Sequence, residues 1–224
     1  MKEYAEQRRR RSYRIPNLVI AARVALAFVA IGLFSMGYPA SAAAVGLIVV
    51  VLYMDALDGL VARRLGLASE LGGVMDITAD RIVEHVFWIY FAVAHQVGLW
   101  VPMVVMTRSF LVDAARSLAL SAGRTAFGDK TMMRAPWARF LVASRSMRNA
   151  YGSAKVVSFM LLGIVLTVEQ AVAQSTLVVP PGTRRALVSG TEWAVGATVL
   201  LCVVRGLPVL WESRFYLTRE GGVS

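Results

Sequence analysis

Residues 55–80 read DALDGLVARRLGLASELGGVMDITAD and place four aspartates inside a chain that is otherwise strongly apolar. The four are Asp55, Asp58, Asp76 and Asp80. The first two are three positions apart and the last two are four apart, which are spacings of a single helix face. A short basic turn separates the pairs. The stretch therefore predicts two antiparallel helices whose carboxylates face each other at the cytoplasmic boundary of a membrane.

Small residues share the faces that carry these acids. Gly59 follows Asp58 directly, Ala62 lies on the same face one turn further on, and Gly72 precedes Asp76 by four positions. Side chains this small let a bulky ligand approach the helix backbones. Arg63, next to Ala62, offers a planar guanidinium that suits phosphate. We expect a phosphate-bearing ligand between the two helices.

Four facing carboxylates repel one another, and each charge at membrane depth costs about 2.5–3.5 kcal/mol on insertion scales. A bound cation offsets this cost. A set of carboxylates without histidine or cysteine suits Mg²⁺ or Mn²⁺ better than Zn²⁺. A pair of such ions binds a diphosphate and stabilises the charge that develops during phosphoryl transfer. The alternative, aspartates that merely pair with nearby arginines, explains one pair more easily than two.

The rest of the chain extends the membrane interpretation. Hydrophobic residues make up 57% of the 224 residues, above the 45–50% or so of ordinary domains. They form six segments of about the length that spans a bilayer: 16–37, 40–64, 72–94, 99–120, 151–171 and 191–212. The predicted fold is all-α and polytopic, with an N-terminal amphipathic interfacial helix over 1–15, a six-helix transmembrane catalytic domain over 16–212 and a cytoplasmic tail over 213–224.

The distribution of basic residues predicts the orientation. The net charge is +10. In an apolar chain this excess fits cytoplasmic loops near anionic lipid rather than nucleic acid. Most of the Lys and Arg residues outside the six segments fall on one side, and the opposite side carries Arg184 and Arg185. The positive-inside rule therefore places both termini and the aspartates in the cytoplasm, and a prokaryotic inner or plasma membrane is expected.

The spacing D-x2-D-G-x2-A-R-x8-G-x3-D-x3-D, from Asp55 to Asp80, resembles the signature of the CDP-alcohol phosphotransferase family, and all eight fixed positions are met. The opening from Ile15 to Arg23 also resembles the start of many members. The resemblance implies a homodimer of six-helix protomers that transfers a phosphatidyl group from a CDP-linked lipid, such as CDP-diacylglycerol, to an alcohol and releases CMP.

The resemblance also implies roles for the motif residues. The four aspartates would hold two metal ions per protomer, and Asp80 would take the proton from the acceptor hydroxyl. The cytidine diphosphate would lie against five residues of the motif: Asp58, Gly59, Ala62, Arg63 and Gly72.

The acceptor is expected to carry a phosphate, because the segment between spans four and five is rich in Arg and Lys. The candidate binding residues are Arg108, Arg116 and Lys155. The stretch Tyr151–Lys155 resembles in part a lysine-containing stretch of members that use glycerol phosphate, although its first lysine and its threonine are absent here. Glycerol 3-phosphate is the first choice. Inositol phosphate, inositol and serine stay open as alternatives.

A protein of another class, a cation-coupled transporter, also places acids among membrane helices. Transporters more often show helices interrupted near the membrane midplane and two repeated halves. In this chain the acids lie near one end of their segments, and no second stretch mirrors residues 55–80. The sequence therefore favours the enzyme.

Overall fold

A computed structural model describes the backbone of residues 2–64, 70–121, 133 and 135–220, and the side chains of 18–54, 74–121, 133, 135–142 and 144–214. Within these ranges all regular secondary structure is helical, as predicted. The helices are α1 (Lys2–Ser35), α2 (Ala40–Arg64), α3 (Glu70–Val93), α4 (Trp100–Ser121), α5 (Pro136–Ala143), α6 (Arg145–Ala173) and α7 (Pro181–Glu220).

The six predicted segments correspond to α1–α4, α6 and α7. The predicted and observed helix bounds differ most at the N-terminus of α1 and at the two ends of α7. We expected a separate helix over 1–15 and a new start at Pro16, whereas α1 is continuous from Lys2 to Ser35. Residues 2–14 contain five Arg, two Glu, one Gln, one Lys and one Ala, all of which favour helix, and this explains why no break precedes the span. The interfacial position of this segment stays a prediction.

Three helices in the described part of the chain are long and apolar enough to cross a membrane. Their apolar ranges are Leu18–Ser35 of α1, Pro136–Ala173, which runs through α5 and α6, and Pro181–Arg214 of α7. A shorter apolar helical range covers Ala40–Met54 of α2. The predicted spans in α3 and α4 carry several charged residues, which lower their apolar character. The six-span arrangement therefore remains a proposal.

The chain divides into two compact units. The first comprises Met1–Gln96 with Phe159–Leu187, and the second comprises Val97–Ser158 with Val188–Ser224. Helices α6 and α7 contribute residues to both units.

An aromatic cluster forms the core of the first unit. Phe34, Phe87, Trp88, Phe91 and Phe159 are all fully buried or nearly so. The ring centroids of Trp88 and Phe159 lie 4.7 Å apart, and those of Phe34 and Phe91 lie 5.8 Å apart. Aromatic pairs at such distances add about 0.5–1.5 kcal/mol each to the burial of their surface. The cluster joins α1, α3 and α6 and fixes how far each helix is shifted along its axis relative to the others.

Two helices of the first unit end in the same hydrogen-bonded motif. After α3, the N–H of Gln96 donates to Phe91 O, and His95 adopts a positive φ of 58°. After α6, the N–H of Thr176 donates to Ala171 O, and Ser175 has a φ of 57°. This is the Schellman arrangement, which satisfies the last carbonyls of a helix and usually has glycine at the left-handed position. The chain uses His and Ser there instead.

In the second unit, α7 holds both ends of the short helix α5. Glu212 of α7 accepts a hydrogen bond from the N–H of Ala135, at the N-terminus of α5, at 3.1 Å. Arg205 donates through Nε to Leu141 O at 3.3 Å, at the opposite end. Seven positions separate these two side chains, which puts them on one face of α7. The anionic and cationic groups match the dipole of α5, so this helix is fixed despite its length of eight residues.

Candidate functional site

Helices α2 and α3 carry the predicted acidic motif. The positions of Asp55 and Asp58 lie on α2, and those of Asp76 and Asp80 lie on α3, as the spacing predicted. The side chains of six motif residues lie outside the described part of the structure: Asp55, Asp58, Gly59, Ala62, Arg63 and Gly72. The site geometry is therefore that of the remaining two aspartates and their partners.

Asp76 and Asp80 share one buried cation, Arg23 of α1. Its Nη2 lies 2.7 Å from Asp80 Oδ1 and 3.6 Å from Asp76 Oδ1. The same nitrogen lies 3.5 Å from the main-chain oxygen of Asp76. The side chain of Arg23 is 1% exposed, whereas the two carboxylates are 37% and 44% exposed. Arg23 therefore depends on this pairing, because a charge buried without a partner is costly, while the acids keep an open side.

Sequence reasoning noted Arg23 in the opening segment but gave it no role in the site. A signal for it exists in the sequence. Within residues 18–35, where the side chains of α1 are described, the buried positions are Ile20, Arg23, Ala27, Ala30 and Phe34, which repeat at intervals of three and four residues. An arginine on the apolar stripe of a span needs an acidic or carbonyl partner. The stripe therefore marks Arg23 as a buried charge, although it does not identify the acids that pair with it.

Glu84, one turn after Asp80 on α3, forms an ion pair within its own helix. Glu84 is 3% exposed, and its Oε2 lies 3.6 Å from Nη1 of Arg81, three positions earlier. Glu84 follows Asp80 by four positions and Arg81 by three, so its spacing alone permits either this pairing or a place behind Asp80. The described ion pair accounts for the charge of Glu84.

The two described carboxylates of the motif, those of Asp76 and Asp80, suit a hard divalent cation. Asp76 and Asp80 lie one helical turn apart and offer partly exposed carboxylate oxygens, which Mg²⁺ and Mn²⁺ prefer. Among the described side chains no group of three or more His, Cys, Asp and Glu residues is assembled. A complete metal site at this position therefore needs the acids of α2.

A second cluster, in the second unit, surrounds the ring of Tyr151, which is 6% exposed. The guanidinium carbons of Arg108 (α4) and Arg205 (α7) lie 5.9 Å and 5.4 Å from its centroid. Nζ of Lys155, one turn along α6 from the ring, lies 5.0 Å from it. All three distances are within the range of cation–π attraction. We call these four residues the Tyr151 cluster.

The structure thus brings together two of the three predicted acceptor residues, Arg108 and Lys155, and adds Arg205. Arg116 lies two turns further along α4, where its Nη1 is 3.8 Å from Asp113 Oδ1. No role was predicted for Arg205, although a charge within an apolar helix is itself a signal of function. Three converging cations repel one another, and an anion bound among them would relieve that repulsion.

Arg108 has a further property that favours an anion. Its Nε is buried, and no acceptor among the described residues takes a hydrogen bond from it. Buried donors in proteins are nearly always satisfied, and an oxygen of a bound anion would supply the acceptor that the described residues do not.

Comparison with known proteins identifies the family. Residues 13–204 match the family model described as CDP-alcohol phosphatidyltransferase. The match covers most of the chain, and the protein therefore belongs to the CDP-alcohol phosphatidyltransferase family, in agreement with the motif of residues 55–80.

A curated relative supports the same assignment. The CDP-diacylglycerol–glycerol-3-phosphate 3-phosphatidyltransferase of Pseudomonas fluorescens is 32% identical over 120 residues. The match covers 52% of this chain and 61% of the relative. It thus spans less than two thirds of that protein's length.

Proposed function

We propose that the protein is an integral membrane enzyme of phospholipid biosynthesis that transfers a phosphatidyl group from a CDP-linked lipid, such as CDP-diacylglycerol, to the hydroxyl of an alcohol. Membership of the family over residues 13–204 carries this proposal. Asp76 and Asp80, one turn apart with an open side, support it as part of the predicted reactive site. A transporter is disfavoured by the same family match.

In the proposed reaction Asp80 accepts the proton of the acceptor hydroxyl. The hydroxyl oxygen then bonds to the lipid-bearing phosphorus, the bond from that phosphorus to the CMP oxygen breaks, and CMP leaves with the electron pair. Members of the family are generally dependent on divalent metal ions. Two Mg²⁺ or Mn²⁺ ions, held by Asp55, Asp58, Asp76 and Asp80, would neutralise the diphosphate and its developing charge. The cytidine diphosphate would lie along Asp58, Gly59, Ala62, Arg63 and Gly72.

Arg23 is assigned a positioning role in this scheme. Its guanidinium donates to Asp80 Oδ1 at 2.7 Å and is itself held by burial. A charge-assisted hydrogen bond of this length fixes the rotamer of the carboxylate that must meet the hydroxyl. Arg23 also balances part of the negative charge of the cluster. Both effects prepare the acids before the donor lipid binds.

The Tyr151 cluster is the proposed binding site for the phosphate of the acceptor. Arg108 and Lys155 supply donors that favour a phosphate dianion, and Arg205 adds a third positive charge. Glycerol 3-phosphate is the first choice because the Pseudomonas fluorescens relative bears that acceptor in its name. Inositol phosphate fits the same cations, whereas inositol and serine lack the phosphate that would use them.

The proposed membrane arrangement has six spans, with both termini and the aspartates on the cytoplasmic side of a prokaryotic inner membrane. The three long apolar helices support a membrane location. The excess of Lys and Arg on one side supports the orientation. A homodimer is proposed from membership of the family.

A panel of acceptors tests the reaction and its phosphate requirement together. Purified protein is incubated with CDP-diacylglycerol, Mg²⁺ or Mn²⁺ and one of four acceptors: glycerol 3-phosphate, inositol phosphate, inositol or serine. We expect CMP release with a phosphorylated acceptor, with kcat/KM at least about 100-fold above that of the unphosphorylated ones, because two or more charge-assisted hydrogen bonds depend on the phosphate. Equal rates with inositol or serine would contradict the assignment of the Tyr151 cluster.

A further inference from the structure

Gly206 of α7 lies directly beneath the side chain of Arg108. A Cβ built on Gly206 would be 2.7 Å from Cγ, 2.8 Å from Nε and 3.3 Å from Cδ of Arg108. Contacts below 3.0 Å are essentially never seen for real Cβ atoms. The side chain of Arg108 therefore packs against the backbone of α7 at Gly206, where the absence of a Cβ leaves space for it.

The crowded atom decides how costly this contact is. Cγ is the second carbon of the arginine side chain, and its position is set by χ1. A methyl group at position 206 therefore cannot be avoided by a small movement of the guanidinium; the whole side chain must take another rotamer. An apolar groove of about 330 Å³, lined by residues that include Met103, Val203 and Leu207, adjoins Arg108 and gives the displaced chain space away from Tyr151.

A comparison within α7 sets Gly206 apart. Gly196 lies on the same helix, and nothing comes within 4 Å of a Cβ built there. Glycine inside a helix is destabilising relative to alanine. At Gly196 the packing gives no reason for that cost, whereas at Gly206 the path of Arg108 gives one.

We propose that Gly206 is a specificity-determining residue, which positions Arg108 for the phosphate of the acceptor and so sets the preference for a phosphorylated alcohol. This inference rests on the proposed function of the Tyr151 cluster. Gly206 touches no substrate in this scheme and acts through Arg108. Any side chain at position 206 removes the guanidinium from the cluster while leaving Lys155 and Arg205 in place.

The test compares four variants: Gly206→Ala, Gly196→Ala, Arg108→Ala and the double variant Arg108→Ala/Gly206→Ala. We expect Gly206→Ala to raise the KM for glycerol 3-phosphate about tenfold, the effect of weakening one charge-assisted contact. The KM for CDP-diacylglycerol and kcat should stay within about twofold. Gly196→Ala, with open space around the new methyl group, should match the wild type.

The double variant separates action through Arg108 from a general disturbance of α7. Alanine at position 108 lacks Cγ, Cδ and Nε, the three atoms that lie nearest to the added methyl at 206, so Gly206→Ala should add no further change in KM. The melting temperature gives a second readout. If Gly206→Ala alone unfolds or melts early, the double variant should recover; if the double variant fails in the same way, the inference is wrong.

The outcomes distinguish this inference from the function on which it rests. If Arg108→Ala leaves the KM for glycerol 3-phosphate unchanged, the phosphate-binding role of the Tyr151 cluster fails, and the role of Gly206 fails with it. If Arg108→Ala raises this KM but Gly206→Ala does not, the cluster keeps its role and Gly206 loses its own. An equal effect of Gly206→Ala with and without Arg108 likewise overturns the inference.

Discussion

Replacing Asp80 with asparagine is expected to lower kcat by about 10³-fold while the protein remains folded. A positioned general base contributes about 10²–10⁴-fold to a rate, and asparagine cannot accept the proton. The amide oxygen of asparagine can still accept the hydrogen bond that Arg23 donates at 2.7 Å, and Asp76 keeps a carboxylate 3.6 Å from the same nitrogen. The melting temperature should therefore change little. The measurement is the rate of CMP release at saturating donor and acceptor, with thermal melting measured on the same preparation.

Glu192→Gln provides the matched control for the loss of one carboxylate. Glu192 is exposed on α7 and lies outside the proposed site. Its variant should release CMP within about twofold of the wild-type rate. Full activity of a folded Asp80→Asn variant would show that Asp80 is neither the base nor an essential ligand.

Replacing Arg23 is expected to have the second largest effect. Arg23→Gln removes the charge that faces Asp76 and Asp80, and with it the bond that fixes the Asp80 carboxylate. A misplacement of about 1 Å in a reacting group costs on the order of 10²-fold, so kcat should fall by about that factor. Arg23→Lys keeps the charge but loses the planar fork, and its kcat should lie between those of the wild type and Arg23→Gln. Steady-state CMP release measures both.

Arg184→Lys is the control for Arg23→Lys. Nη2 of Arg184 lies 3.3 Å from Glu169 Oε1, and its side chain is 54% exposed. Exposed ion pairs contribute about 0–1 kcal/mol, so both activity and melting temperature should be unchanged. If folded Arg23→Gln releases CMP as fast as the wild type, Arg23 does not position Asp80, and its pairing serves stability alone.

The positions of six of the helices could be predicted from the sequence because long apolar segments mark them. Apolar segments of bilayer length correspond to α1–α4, α6 and α7, and local signals mark their ends. Gly37, with φ of 81°, and Pro39 lie between α1 and α2. The continuity of α1 through Pro16 and the exact extent of α5 could not be predicted. Both depend on weak local preferences, and α5 is further fixed by Arg205 and Glu212 of α7.

The sequence predicted which residues of the site share a helix face, but not which residues of other helices contact that face. Spacing placed the aspartates on two helix faces, and the structure has helices at all of these positions. The spacing of the motif did not identify Arg23 as the partner of Asp80, because 57 residues separate the two. In the same way, the sequence grouped Arg116 with Arg108, because both lie on α4. It gave no sign that Arg205 reaches the Tyr151 cluster from α7. Periodicity defines a face, whereas the contact of two faces is a property of tertiary packing.

The balance of products shows whether the protein transfers a phosphatidyl group from one substrate to the other. Purified protein is mixed with CDP-diacylglycerol, glycerol 3-phosphate and Mg²⁺, and both CMP and the lipid product are quantified. We expect one phosphatidyl-linked acceptor for each CMP released, and neither product when a chelator removes the divalent ion. Release of CMP without a phosphatidyl-linked acceptor, or no CMP with any alcohol of the panel, would contradict it.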